Sequence, residues 1–166
     1  MIFIGEAFEG GGGNAAHINL ILGPKAELGA AYALAAASPG PGHIPFQAVL
    51  KPNVPAAPAT LFVGKAIIRD ANNELMTWGP AQAGVAAGIA EALLTGALPP
   101  IAAEDWVAIA LVWVDWTADD AETVYANNRA ATLRAAQRAL EGGPSREALA
   151  EALTSVSNPF FTPAAR

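Results

Sequence analysis

Three side chains stand where their types and neighbours allow chemistry. His17, in Asn14-Ala15-Ala16-His17-Ile18-Asn19-Leu20, is followed two residues later by Asn19. On an extended strand that spacing sends both to one face, with Ile18 and Leu20 on the other. An imidazole titrates near neutrality and can give or take a proton there; the plainer role for a histidine at a strand start is a structural hydrogen bond. Lys65 interrupts the apolar run Leu61-Phe62-Val63-Gly64-Lys65-Ala66-Ile67. Beside a glycine that lets a ligand or backbone come close it offers a cation, and its plain reading is an edge-strand lysine that blocks aggregation. Gln82, in Trp78-Gly79-Pro80-Ala81-Gln82-Ala83-Gly84-Val85-Ala86, falls in the first turn of a helix. There its amide either caps the helix, the simpler expectation, or pairs with the donor and acceptor edge of a heterocycle. The second histidine, His43 in Pro41-Gly42-His43-Ile44, reads as a loop residue.

Neither histidine has a His, Cys or acidic neighbour at metal-ligand spacing, so no protein-built metal site is expected. The Gly-x-Ser-x-Gly elbow, the dinucleotide Gly-x-Gly-x-x-Gly at a strand-to-helix junction and the phosphate-binding Lys-Ser/Thr pair are all missing. The familiar hydrolase, dehydrogenase and kinase signatures are therefore excluded. The run Gly10-Gly11-Gly12-Gly13 could cradle an anion with its amides, but it opens onto a strand and reads as a turn.

These residues need elements to hold them. Ile2–Phe8 and Ala16–Leu22 read as strands joined across the glycine run. Pro24 is placed to open a helix over Ala26–Ala37, which stops before Ser38-Pro39-Gly40-Pro41-Gly42. Phe46–Leu50 and Leu61–Ile68 read as strands, separated by Pro52–Pro58, whose three prolines forbid a regular ladder. Ala81–Leu94 is an alanine-rich helix stopped by Gly96 and Pro99-Pro100. Trp106–Asp115 is apolar on both alternating faces, which predicts a strand covered on two sides. Thr117 to Asp120 has capping-box spacing and predicts the start of a long helix that ends at Gly142-Gly143. A shorter helix from Pro144 to about Leu153 follows, and then an apolar tail, Ser157-Asn158-Pro159-Phe160-Phe161-Thr162-Pro163, expected to dock on its own or a neighbouring subunit. The order predicts an α/β fold, an α+β two-layer sandwich with helices packed on a mixed sheet, as one domain spanning 1–166.

Only 14% of the residues are charged, against roughly 25% in ordinary soluble domains, while 53% are hydrophobic. A closed homo-oligomer, with apolar exterior hidden between copies, resolves that imbalance. No window of about 18 apolar residues predicts a membrane span, and Met1–Glu6 carries no export segment, so a cytoplasmic protein is expected. The absence of cysteine removes disulfides and thiolate metal sites; a net charge of -6 with nine lysines and arginines offers no surface for nucleic acid.

Taken together, several segments resemble the formaldehyde-activating enzymes. They are Ala16-His17-Ile18-Asn19-Leu20 with Ile21-Leu22-Gly23-Pro24-Lys25, then Ala48-Val49 with Pro52-Asn53-Val54-Pro55, and then Thr60-Leu61 to Lys65. Gly79-Pro80-Ala81-Gln82-x-Gly84-Val85-Ala86 is the most specific, and Asp119-Asp120-Ala121, Gln137-Arg138-Ala139 and Asn158-Pro159-Phe160 extend the likeness over nearly the whole chain. The resemblance implies a fold like the second domain of ribosomal protein S5, a homopentamer, and pterin sites between adjacent subunits. It implies a carbon-nitrogen lyase that joins formaldehyde and tetrahydromethanopterin into the methylene derivative and water. The pterin serves as co-substrate, and no cofactor is permanently bound. By position, His17 matches the family's acid-base histidine, and Lys65 and Gln82 match its pterin-contacting residues. Asn19 stands where the family has Asp, Gln47 where it has Leu, Ile67 where it has Thr, and Ala83 where His is frequent. These departures open a second expectation, a non-catalytic pterin or small-molecule binder on the same scaffold.

Overall fold

The computed structural model describes every residue except 42, 159, 160, 165 and 166. The chain begins with a hairpin of β1 (Phe3–Glu9) and β2 (Ala16–Pro24), closed by a loop with a 3-10 turn at Gly12–Asn14. Pro24 ends β2 and leads straight into α1 (Lys25–Ala37). The strand expected over Phe46–Leu50 is two pieces, β3 (Phe46–Gln47) and β4 (Val49–Lys51). Between them Ala48 donates to the Thr60 carbonyl at 2.9 Å and accepts from the Ala56 amide at 3.0 Å, which turns the chain out of the main sheet. There β5 (Val54–Pro55) pairs with β4 over only Val49↔Pro55 and Lys51↔Val54, with a register shift, as its prolines require.

β6 (Ala59–Gly64) is shorter than the predicted Leu61–Ile68. Its parallel neighbour, β7 (Trp106–Trp113), ends one residue beyond the Gly64–Val112 pair, and the last ladder bond is from the Lys65 amide to the Val112 carbonyl at 2.8 Å. Lys65 therefore lies just past a strand rather than inside one. That strand sits between β7 and β3, which removes the edge-strand reading. A helix missed in the sequence, α2 (Ala71–Met76), is capped by the Asp70 carboxylate accepting from the Asn73 amide. It continues through a π-helical turn at Thr77–Ala81 into α3 (Gln82–Leu94). The widened turn takes up Gly79 and Pro80, so the helix begins before the predicted Ala81.

After the short α4 (Ala102–Asp105) comes β7, and then α5 (Ala121–Glu141). The cap of α5 is Asp120, which accepts from the amides of Glu122 and Thr123. Thr117 does not cap, because its hydroxyl donates to Asp115 Oδ1 at 2.7 Å. The helix stops at Gly142, whose φ is 90°, and α6 (Arg146–Ala152) follows behind a Ser145 cap.

The main sheet has the order β1-β2-β7-β6-β3 and is antiparallel except between β7 and β6. One face carries Ile18, Leu20, Leu22, Phe62, Ala108, Ala110 and Val112 into a core with Val85, Ile89 and Val124 of α3 and α5. Those two helices approach closely because Gly84 and Gly88 line their contact: a Cβ on Gly88 would fall 2.5 Å from the Arg129 carbonyl oxygen. The opposite face is not bare, as two layers would leave it. α1 covers half of it, where Leu28 and Tyr32 pack with Ile21, Leu61, Val107 and Ile109. The other half of that face holds the site. No helix among the described residues is long and apolar enough to cross a membrane.

Candidate active site

Strand register assembles the site. Phe8 pairs with His17 and Glu6 with Asn19 across the hairpin, while His17 pairs with Trp113 and Asn19 with Leu111 on the other side. Cross-strand partners share a face, so Glu6, Phe8, His17, Asn19 and Trp113 project together beyond the end of the α1 cover. One residue past the Gly64–Val112 pair, Lys65 comes beside Trp113 and reaches back across β7.

The central contact is a row of three ionisable groups. Lys65 Nζ lies 3.3 Å from His17 Nδ1 and donates to the His17 carbonyl at 3.3 Å. On the far side of the ring, His17 Nε2 is 3.1 Å from Glu6 Oε1. An ammonium can only donate, so Nδ1 is the acceptor and Nε2 carries the hydrogen that Glu6 receives. Arg138 of α5 holds Glu6 in turn, donating to its carbonyl at 2.9 Å with Nη1 3.7 Å from its carboxylate. Burial, and then the Lys65 charge, keep His17 below its ordinary 6.5, with Glu6 pulling the other way. Burial likewise draws Lys65 from 10.5 down to about 8, again opposed by Glu6. At neutral pH the imidazole is uncharged, and the ammonium gives up its proton far more readily than an ordinary lysine.

Glu6, Phe8, His17, Trp113, Asp115 and Asn158 wall a cavity of about 1000 Å³. The Phe8 and His17 rings are 6.2 Å apart and tilted by 55°, and Trp113 meets Trp116 edge-on at 5.7 Å. Two aromatic side chains thus flank the imidazole and offer faces to a flat ring. The tail expected to dock brings Ser157 and Asn158 to this cavity, while Phe161 is 62% exposed; Pro159 and Phe160 lie outside the described residues. A smaller apolar cavity, about 230 Å³ between His43, Phe46, Phe62 and Trp78, takes in none of the predicted site residues. His43 has a loop role, its Nδ1 lying 2.7 Å from the Gly64 carbonyl.

Of the residues singled out in the sequence, His17, Asn19 and Lys65 come together, and Gln47 and Gln82 bond elsewhere. Gln47 lies on the outer strand β3, its Oε1 accepting from the Tyr32 hydroxyl at 3.0 Å. Its row runs through Leu61 and Ile109, four residues along β7 from Trp113, which is about 13 Å. Ile67, two residues past Lys65, has a side chain that is 48% exposed, and its carbonyl accepts from Trp116 Nε1 at 2.9 Å. Gln82 caps nothing: the helix is continuous through the π turn, and its Oε1 accepts from the Val49 amide, which ties α3 to β4. Glu6, Phe8 and Trp113 were missed. Their signal is the alternation Ile4, Glu6, Phe8 in a strand facing His17, but register alone reveals which partner each meets.

The family model of the formaldehyde-activating enzyme (Fae) matches residues 4–161. The chain belongs to the formaldehyde-activating enzyme family. Among its relatives, a 5,6,7,8-tetrahydromethanopterin hydro-lyase of Methanosarcina barkeri is 39% identical over 158 residues, covering 95% of this chain and 89% of that protein. A bifunctional enzyme Fae/Hps of Methanosarcina mazei is 36% identical over 152 residues, covering 91% of this chain but 39% of its own length. The one from Methanosarcina acetivorans is 37% identical over 145 residues, 37% of its own length. Against these bifunctional relatives the chain spans about two fifths of the whole.

Proposed function

We propose that this chain condenses formaldehyde with tetrahydromethanopterin, or a related reduced pterin, to the methylene derivative and water. The observation that carries the reading is His17, held between Glu6 and Lys65 at the wall of an aromatic-sided cavity. A pterin nitrogen adds to formaldehyde to form a carbinolamine, whose hydroxide leaves poorly until a proton reaches it. A histidine that titrates near neutrality can move that proton, typically for 10² to 10⁴-fold in rate. Phe8 and Trp113 supply faces for the pterin ring.

The wider reading is a single domain over 1–166, akin to the second domain of ribosomal protein S5, assembled as a cytoplasmic homopentamer with no permanently bound cofactor. Gln47, Ile67 and Gln82 belong in this reading to the pterin site between adjacent subunits, along with Asn19 and Lys65.

A second reading, a non-catalytic pterin binder, is favoured by Asn19, which is neutral at every working pH and stands where the resemblance implies Asp. The two separate on condensation rates measured against buffer, since the reaction also proceeds unaided. His17→Ala should lose roughly 10² to 10⁴-fold of the enzymatic rate while pterin affinity holds. If wild type runs at the buffer rate while still binding pterin, the binder reading stands.

A further inference from the structure

We propose that Lys65 is a covalent carrier: its amine captures formaldehyde as an imine and passes the carbon to a pterin nitrogen, with His17 moving protons and Glu6 positioning the ring. This rests on the reading of formaldehyde as the substrate, and it assigns Lys65 chemistry beyond pterin contact.

The geometry is that of an activated nucleophile. Lys65 Nζ is 3.3 Å from His17 Nδ1, and the ring is fixed on its other side by Glu6 at 3.1 Å. Nucleophile, base and orienting carboxylate stand in the order that activates side-chain nucleophiles in general. A lysine needed only as a cation would be stabilised best by a carboxylate in direct contact. Instead its nitrogen faces the neutral nitrogen of a base, which serves proton exchange. Burial adds to this by drawing Lys65 down to about 8. At pH 7 about one amine in ten is then free, against roughly one in three thousand for an ordinary lysine.

The steps balance. The Lys65 ammonium gives a proton to His17 Nδ1, and the freed lone pair bonds to the formaldehyde carbon. One amine proton moves to the oxygen, His17 returns its own, the C–O bond breaks and water leaves, so that ammonium and formaldehyde have become a protonated imine and water. A pterin nitrogen then bonds to the imine carbon, its N–H proton going to His17. His17 hands that proton to the Lys65 nitrogen, the bond from Lys65 to carbon breaks, and the pterin retains the carbon as an iminium. Closure by the second pterin nitrogen releases a proton that restores the Lys65 ammonium.

The chain has three lysines, and Lys25 and Lys51 are exposed, so they serve as internal comparisons. Wild-type protein at pH 7 is given substoichiometric ¹³C-formaldehyde and then cyanoborohydride, and N-methyl-lysine is located by peptide mass spectrometry. Lys65 should be labelled at least about tenfold ahead of Lys25 and Lys51, with His17→Gln erasing the preference. Tetrahydromethanopterin added before the reductant should discharge the label into the methylene pterin. Lys65→Arg, which keeps the charge, should fall to the buffer rate. Equal labelling of the three lysines, or full activity of Lys65→Arg, overturns the carrier. Wild-type condensation above the buffer rate without a Lys65 adduct overturns it while leaving the proposed reaction standing. An adduct that pterin cannot discharge, with wild type at the buffer rate, overturns both.

Discussion

Replacing Lys65 with Met should reverse its effect on stability across the alkaline range. The unfolded chain holds the lysine proton up to about 10.5, whereas the folded protein releases it at about 8. Between those values the unfolded state binds more protons, so wild type gains stability as pH rises from 8 to 10.5 and carries the full penalty below 8. At 1.36 kcal/mol per pH unit the ceiling is roughly 3 kcal/mol. The amine is only half-buried, and screening by water leaves about 1 to 2 kcal/mol. Met keeps most of the apolar stem but loses the bond to the His17 carbonyl, at a cost of about 1 kcal/mol that does not depend on pH in this range. Near pH 7 the two effects nearly cancel. The informative quantity is therefore the difference between variant and wild type in urea unfolding, at fixed protomer concentration, from pH 7 to 10.5. Titrating groups that Lys65 does not influence drop out of that difference. The variant should lose about 1 to 2 kcal/mol relative to wild type over the window; a difference that stays flat would show that Lys65 is not desolvated and would remove the support drawn from its titration.

Glu6→Gln should lower the His17 titration further, because the carboxylate opposes both burial and the Lys65 charge. The downward movement is readable by NMR with His43 as the second imidazole; an unchanged titration would break the Glu6–His17 contact. Gly88→Ala should destabilise by about 1 to 3 kcal/mol, through the collision with the Arg129 carbonyl of α5. Gly29→Ala, whose Cβ would meet only Lys25 Cβ at 3.8 Å within α1, should stabilise by about 0.5 to 1 kcal/mol; thermal melts that rank the two the other way would refute the helix packing. Light scattering coupled to size exclusion should give a pentamer mass, and a monomer at micromolar concentration would exclude any site shared between subunits.

Local periodicity carried much of the fold. The two-residue alternation of β2 put His17 and Asn19 on one face, and Gly142 marked the end of α5. What sequence could not carry was anything decided by a partner. β6 stops at Gly64, one residue short of the level of Trp113 at the end of β7, and that turns Lys65 from a mid-strand oddity into the residue that reaches His17. Asp120 caps α5 instead of Thr117 because Asp115, two residues before Thr117, takes the hydroxyl. Glu6 was passed over because a glutamate in an outer strand is ordinarily a solvated residue; the hairpin register gives it a role by facing it to Asn19 and within reach of the ring beside it.

The resemblance implies an aspartate at position 19, and the register bears on what Asn19 changes there. Glu6 is the direct cross-strand partner of Asn19 and already meets His17 through Nε2, so the imidazole keeps a carboxylate despite the substitution. A second carboxylate opposite Glu6 would set like charges on adjacent strands and would also push the titrations of His17 and Lys65 upward, making the ammonium harder to deprotonate. With Asn19 neutral, one carboxylate serves two basic groups, and burial outweighs it at both. That balance weakens His17 as a standing acid, since the ring is neutral at physiological pH. It favours His17 as a group that first takes a proton from Lys65 and then returns it, so the departure at position 19 suits a site in which the lysine amine, and not the imidazole, meets the aldehyde.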